Sequence, residues 1–260
     1  MFKIFRYSLS DLLRSSWSYF YFSFYLLLGF GLLFFNPDVS KSVITLMNII
    51  VVFSSLIAVV FGIMYYYNSR EFIELLLAQP IKRSDIFIGQ YLAVSVSLSL
   101  SLLLGVGIPF VIYGVADADL VKNFLVLMTA GIFLNFIFVA VAYNIALYHE
   151  NRIKGFSYAI LFWLFMTLIY DGLFLISLMM FKEYPLEKAS LAATLFNPID
   201  LSRILILLRL DISALMGYTG AVFKNFFGTT LGLTIALFSL LIWVILPVLN
   251  IYRKGNKKDF

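Results

Sequence analysis

Six long apolar runs constrain this chain more than any motif does; they fall at residues 17–35, 42–66, 86–113, 123–147, 155–181 and 228–251. At about 1.5 Å of rise per residue, each suffices for a helix that crosses a hydrocarbon core of ~30 Å. Hydrocarbon offers a bare backbone no hydrogen-bonding partner, so an isolated strand is excluded there and the helix remains. The composition agrees, with 62% hydrophobic and 13% charged residues, where a soluble domain has about 45–50% and ~25%. The sequence predicts an all-α integral membrane protein with six transmembrane helices, occupying residues 1–260 as one transmembrane domain. Cysteine is absent, which removes disulfides and thiolate metal sites. The net charge of +5 is not gathered into one patch, so it reads as membrane topology and no nucleic-acid partner is expected.

Residues 1–16 place Phe2, Phe5, Leu9, Leu12 and Leu13 near one helical face, with Lys3, Arg6, Ser10 and Arg14 largely on the others. This pattern predicts an interfacial helix in the headgroup plane, retained because no small-residue cleavage site follows it. Trp17, Tyr19 and Tyr21 open the first span at interface depth. In the third span Ser95, Ser97, Ser99 and Ser101 recur at every second position; in lipid they read as small contact residues on a helix. With Gly228 and Gly232 they are candidates for a seam with a second copy. Residues 182–227 hold Pro185 and Pro198 and two apolar pieces, 186–196 and 201–210, each too short to cross. They predict an outer helical hairpin before the sixth span, with a dip back into the membrane left open.

Lys and Arg set the orientation. Twelve of the 19 fall in residues 1–16, 68–90, 148–154 and the tail after residue 251, all on one side of the predicted topology, and seven on the other. The positive-inside rule puts both termini in the cytoplasm of a multi-pass protein.

On that side, Asn68–Gln90 (NSREFIELLLAQPIKRSDIFIGQ) interrupts the apolar pattern. Asn68 is placed to cap a short helix with Glu71 three positions on, and Glu71 and Glu74 suit its positive end. Pro80 stops that helix, Ile81–Ser84 form a basic turn, and Ser84 or Asp85 starts the next span. The apolar run Ile73, Leu75, Leu76, Leu77 predicts an amphipathic surface that lies on headgroups or docks in a groove.

No GxxxxGK[ST] motif occurs, and one histidine without HExxH gives no hydrolytic metal site. No catalytic residue, metal site or bound cofactor is therefore expected, and the energy source must be ions or a partner subunit. Asp171 is the one ionisable residue inside a predicted span. Two readings stand: a functional or pathway group with a partner, or a structural group hydrogen-bonded to Tyr170, to Asn135 or Asn144, or to water. The first opens the alternative of an ion-coupled carrier or scaffold. Met179, Met180 and Met216 could offer thioethers to Cu(I), but without Cys or His beside them they read as packing residues. His149 reads as a solvated surface histidine.

Glu71, Glu74, Leu75, Leu76, Pro80, Arg83, Ile86 and Gly89 form a pattern of an acidic start, a Leu pair, a Pro turn and a basic residue before a span. With the interfacial start, six spans and long outer hairpin, the chain resembles the permease half of ABC-2 type transporters. The resemblance implies that residues 68–90 form a cytoplasmic coupling helix seated in a cleft of a separate ABC ATPase subunit, where ATP and Mg are bound. Glu71, Phe72, Glu74, Leu75, Leu76, Pro80, Lys82 and Arg83 would make that contact. Phe72 and Ile73 follow Glu71 where ABC-2 members often carry Gly-Thr, and Gln90 stands where Lys is frequent.

Within that group the chain is similar to the Nos-type permeases of the machinery that matures nitrous-oxide reductase. The carriers are FIELLLAQPIKRSDIF (Phe72–Phe87), YDGL (Tyr170–Leu173), YPLEK (Tyr184–Lys188), NPIDLSRIL (Asn197–Leu205) and the block Leu208–Gly228. This narrower resemblance implies a homodimer in the bacterial inner membrane, with ATPase subunits below and a periplasmic maturation protein above, serving a copper-sulfur centre. A copper chaperone is a further candidate partner. Asn197, Pro198, Asp200, Arg203, Gly217 and Tyr218 would face that partner or form a gate.

Overall fold

The computed structural model describes residues 1–35, 39–113, 118–181, 187–209 and 223–256. It is all-α among them, with six helices long and apolar enough to cross a membrane: Ser16–Phe35, Ile44–Asn68, Arg83–Ile112, Val121–Tyr148, Arg152–Met180 and Thr230–Gly255. The chain is a multi-pass integral membrane protein.

The elements follow in order as α1 (Phe2–Arg14), α2 (Ser16–Phe35), α3 (Val39–Ile49), α4 (Ser55–Asn68), α5 (Arg70–Leu77), α6 (Arg83–Ile112) and α7 (Ala118–Tyr148). Then come α8 (Arg152–Leu164), α9 (Tyr170–Met180), α10 (Glu187–Leu195), α11 (Pro198–Arg209) and α12 (Thr230–Gly255). Two spans carry a π-helical turn, Ile50–Ser54 between α3 and α4 and Phe165–Ile169 between α8 and α9.

α4, α6 and α7 form the inner bundle. Lipid supplies no hydrophobic drive between helices, so close backbone approach and interhelical hydrogen bonds must hold them. Gly62 supplies the first, since a Cβ there would lie 3.0 Å from Ala142 Cβ and 3.4 Å from Val139 Cα. Ser54 supplies the second by donating to Asn135 Oδ1 at 2.8 Å. The serines of α6 are buried within the chain. Ser99 donates to Ser95 O at 2.8 Å and Ser97 Oγ lies 3.4 Å from Ser18 Oγ of α2. They therefore serve contacts inside this chain, where the pattern alone had made them candidates for a seam between copies.

One end of the bundle gathers α1, α5, the start of α6 and the end of α12. The Met1 amino group lies 3.1 Å from Asp85, Ser84 N donates to Asn256 Oδ1 at 3.3 Å, and Tyr67 OH donates to His149 O. The buried stripe of α1 is Ile4, Ser8 and Leu12. Of the predicted apolar face, Leu12 is buried but Phe2 and Leu13 are exposed. The stripe is instead set by α6, where Gly89 leaves room for Ile4 and the Met1 carbonyl.

Asn68 does not cap α5. It closes α4, and Ser69 is the N-cap residue, with no side-chain cap bond because its hydroxyl donates back to Tyr65 O at 2.6 Å. α6 starts at Arg83, one residue before the predicted start, and Asp85 lies in its first turn.

The segment before the last span folds as a bent pair, Ala189–Leu195 and Pro198–Leu208, whose axes meet at 112°. Parity fixes what the bend means. Arg152 and Gly255 lie at the same end of the bundle: Lys254 sits over the Tyr148 ring, and a Cβ on Gly255 would lie 2.7 Å from Phe87. Between them run the fifth span and α12, which already make two crossings. A third would carry Gly255 to the opposite end, so α10 and α11 are a re-entrant hairpin.

Candidate functional site

The apex of this hairpin reaches the middle of the bundle. Leu195 O accepts from Ser239 Oγ at 3.1 Å and Trp243 Nε1 at 3.2 Å, both near the midpoint of the 26-residue α12. Asn197 Nδ2 donates to Met166 O at 2.8 Å, near the midpoint of the 29-residue span Arg152–Met180. At ~1.5 Å per residue the apex lies about 20 Å from either end of these spans.

Local sequence explains the turn. Pro198 begins α11, where its missing N–H costs nothing, and Asn197 caps it by accepting from Ile199 N–H at 3.0 Å. Asp200 sits in the first turn, at the positive end of the helix dipole, and accepts from Asn197 Nδ2 at 2.7 Å. One turn further on, Arg203 Nη1 donates to Asp200 Oδ1 at 3.4 Å and to Asp171 Oδ2 at 2.9 Å. The other wall receives these groups at a π-helical turn. There Tyr170 N–H reaches back to Phe165 O, and wider turns of this kind turn carbonyls outward, as with Met166. Tyr170 OH closes the set by donating to Ala193 O at 2.7 Å.

Asn197, Asp200 and Arg203, neighbours at the start of α11, and Asp171, 32 residues before Arg203, thus form one polar cluster. It borders a cleft of about 340 Å³ whose other walls include Tyr170, Phe174, Thr194, Leu207 and Phe223. The cluster holds two carboxylates and one guanidinium, a net charge of −1 when all are ionised. Burying either sign alone is costly, so the one guanidinium is shared by both carboxylates and offsets one of their two charges, and Arg203 is the tie that binds the hairpin to the fifth span.

Neither asparagine expected as a partner of Asp171 bonds to it. Asn135 accepts from Ser54, and Asn144 donates to Ala140 O and Pro247 O, both at 2.8 Å. Its partner is Arg203. Pro198 is buried at the start of α11, whereas Gly217 and Tyr218 lie outside the described residues. So does Met216; Met179 and Met180 are exposed at the end of α9.

The α5 set lies at the other end of the protein. Glu71, Glu74, Leu75, Pro80, Lys82 and Arg83 are exposed, and Leu76 is buried with Ile73 against the bundle. Phe72 stacks on Tyr7 of α1, ring centroids 5.0 Å apart. The apolar face of α5 is therefore partly used within the chain, and Leu75 is the large apolar side chain it leaves exposed.

Sequence reasoning missed Tyr170, Ser239 and Trp243 as anchors of the hairpin. A signal was present. Indoles favour membrane interfaces, and a Trp near a span centre needs a partner for its N–H. Trp163 is a second case, donating to Ser55 Oγ at 3.0 Å. Set against known proteins, the chain matches no family model and no curated protein.

Proposed function

We propose that this chain is the permease subunit of an ATP-driven transporter of the ABC-2 type, with α5 and the turn after it receiving a separate ATPase subunit. The observation that carries the reading is the pairing of two devices at opposite depths. At one end an exposed, charged helix and Pro turn leads directly into α6, and from the other end a re-entrant hairpin reaches the bundle centre. Force applied at α5 enters α6 at Arg83, and α6 packs on α7 and α12, the latter bonded to the hairpin apex. In this reading α1 is the interfacial helix, both termini are cytoplasmic in a bacterial inner membrane, and a second copy completes the permease. ATP and Mg belong to the ATPase.

The narrower proposal places the hairpin and Arg203 beneath a periplasmic maturation partner, in the Nos-type service of the copper-sulfur centre of nitrous-oxide reductase. The work done is export of a sulfur species or mechanical action on that partner or on a copper chaperone. The alternative, an ion-coupled carrier or scaffold using Asp171, is the weaker reading, because Asp171 is already engaged by Arg203 at 2.9 Å as a tie between two elements.

Co-purification tests the proposal. The wild-type chain should retain an ATP-hydrolysing subunit, and charge reversal of Glu71 and Glu74 should release it while leaving the permease folded. If Asp171→Asn abolished function while inactivating the ATPase had no effect, the carrier reading would stand instead.

A further inference from the structure

A second concavity, of about 500 Å³, opens between α1, α4 and α5 at the end of the bundle that holds Met1. Two aromatic pairs border it. Tyr7 stacks on Phe72 at 5.0 Å and 23°, and Trp17 meets Phe61 edge to face at 6.1 Å and 82°. Asp11 and Arg14, one turn apart on α1, also line it and are exposed. Among the described residues neither makes a salt bridge, with the other or with a third group. Trp17 belongs to the first turn of α2, where the first span begins, so the pocket lies at the depth of lipid headgroups.

We propose that this pocket binds the zwitterionic headgroup of a phospholipid carrying a primary amine, such as ethanolamine. The ammonium lies against the aromatic faces and donates to the Asp11 carboxylate, while the phosphate is held by Arg14. The two unpaired charges of opposite sign match the two charges of such a headgroup, and the Arg14 fork suits phosphate oxygens. Asp11 selects the amine, since a primary ammonium has three donors and a quaternary ammonium none. An anionic headgroup without an amine would leave Asp11 facing negative charge.

The test is native mass spectrometry of the full chain in detergent, supplied with equimolar phosphatidylethanolamine, phosphatidylcholine and phosphatidylglycerol. The ethanolamine lipid should be retained about tenfold over either competitor. Asp11→Asn should abolish that preference, and Arg14→Gln should lower retention of the ethanolamine and choline lipids together. Both side chains are exposed, so both variants should keep the melting temperature of the parent. Equal retention of the three lipids, or an unchanged preference in Asp11→Asn, overturns the proposal. So does a protein that co-purifies on this face and shields Tyr7 and Trp17 from modification while no lipid is selected.

Discussion

The inner bundle and the outer spans are both apolar helices, yet they are held by different means. In the span Ile44–Asn68 and in α6 and α7 more than half of each spanning window is buried, 61%, 56% and 61%, whereas in Arg152–Met180 and α12 the share is 17%. The inner helices meet through small residues and backbone, and their interhelical bonds, such as Ser54–Asn135, are buried inside that packed interface. The outer pair is fastened to the hairpin by single polar bonds at the apex and by the Asp171–Arg203 pair. In lipid a packed interface gives way only when helices separate, while a polar tie can break one bond at a time. The inner bundle is thus a frame, and the hairpin is a part that could move against it.

Three substitutions test that division. The largest effect should come from Gly62→Leu, where the added side chain meets Ala142 and the backbone at Val139. Overpacking typically costs about 1–3 kcal/mol and occasionally more, and a clash with backbone belongs at the upper end, so size-exclusion chromatography after mild heating should show loss of the monodisperse protein. Survival of this variant would mean the frame is no stiffer than its periphery. Next comes Arg203→Gln, which leaves two carboxylates facing each other and should cost about 3 kcal/mol at most, less than for a fully buried pair because the side chains are 28% and 29% exposed.

Arg203→Gln should also free the hairpin without unfolding the bundle. Because the chain has no cysteine, Phe196→Cys provides a clean reporter beside the apex, at a side chain that the chain leaves uncovered at mid-membrane depth, where a polar reagent reaches it only if the hairpin moves outward. Its labelling by a polar maleimide should rise in the Arg203→Gln background, and equal labelling in both backgrounds would count against a movable hairpin. The smallest effect belongs to Trp243→Phe, which removes one hydrogen bond to Leu195 O, worth roughly 0.6 kcal/mol in membrane proteins. A small fall in thermal midpoint with normal Phe196→Cys labelling is expected.

The six spans were legible because apolar length is a local property. So was the helical state of the Ser95–Ser101 stretch, once its lipid surroundings were considered. The short hairpin pieces were readable as helices too short to cross, but their depth depends on Met166 and Trp243, which no local pattern ties to Leu195 or Asn197. Asp171 stood out as costly, yet its partner lies 32 residues away in a segment read as outer. The cap at Asn68 failed for another reason. Burial of Tyr66 carries α4 on to Asn68, so the boundary moved one residue past the expected cap. The π-helical turns have no sequence signature at all.

The turn at Phe165–Ile169 acts as a phase shifter. An α-helix advances about 100° per residue, and this turn takes up one extra residue, so everything after it is rotated by about that angle from where a regular helix would put it. Forcing Phe165–Ile169 into regular α-winding at unchanged length would change no charge in the chain, yet it would swing Asp171 by about 100°, away from Arg203. Deleting Leu168, by contrast, would remove the extra residue together with the wide turn and keep Asp171 on its present face. The address of the one carboxylate in the fifth span is written in the winding of the helix before it.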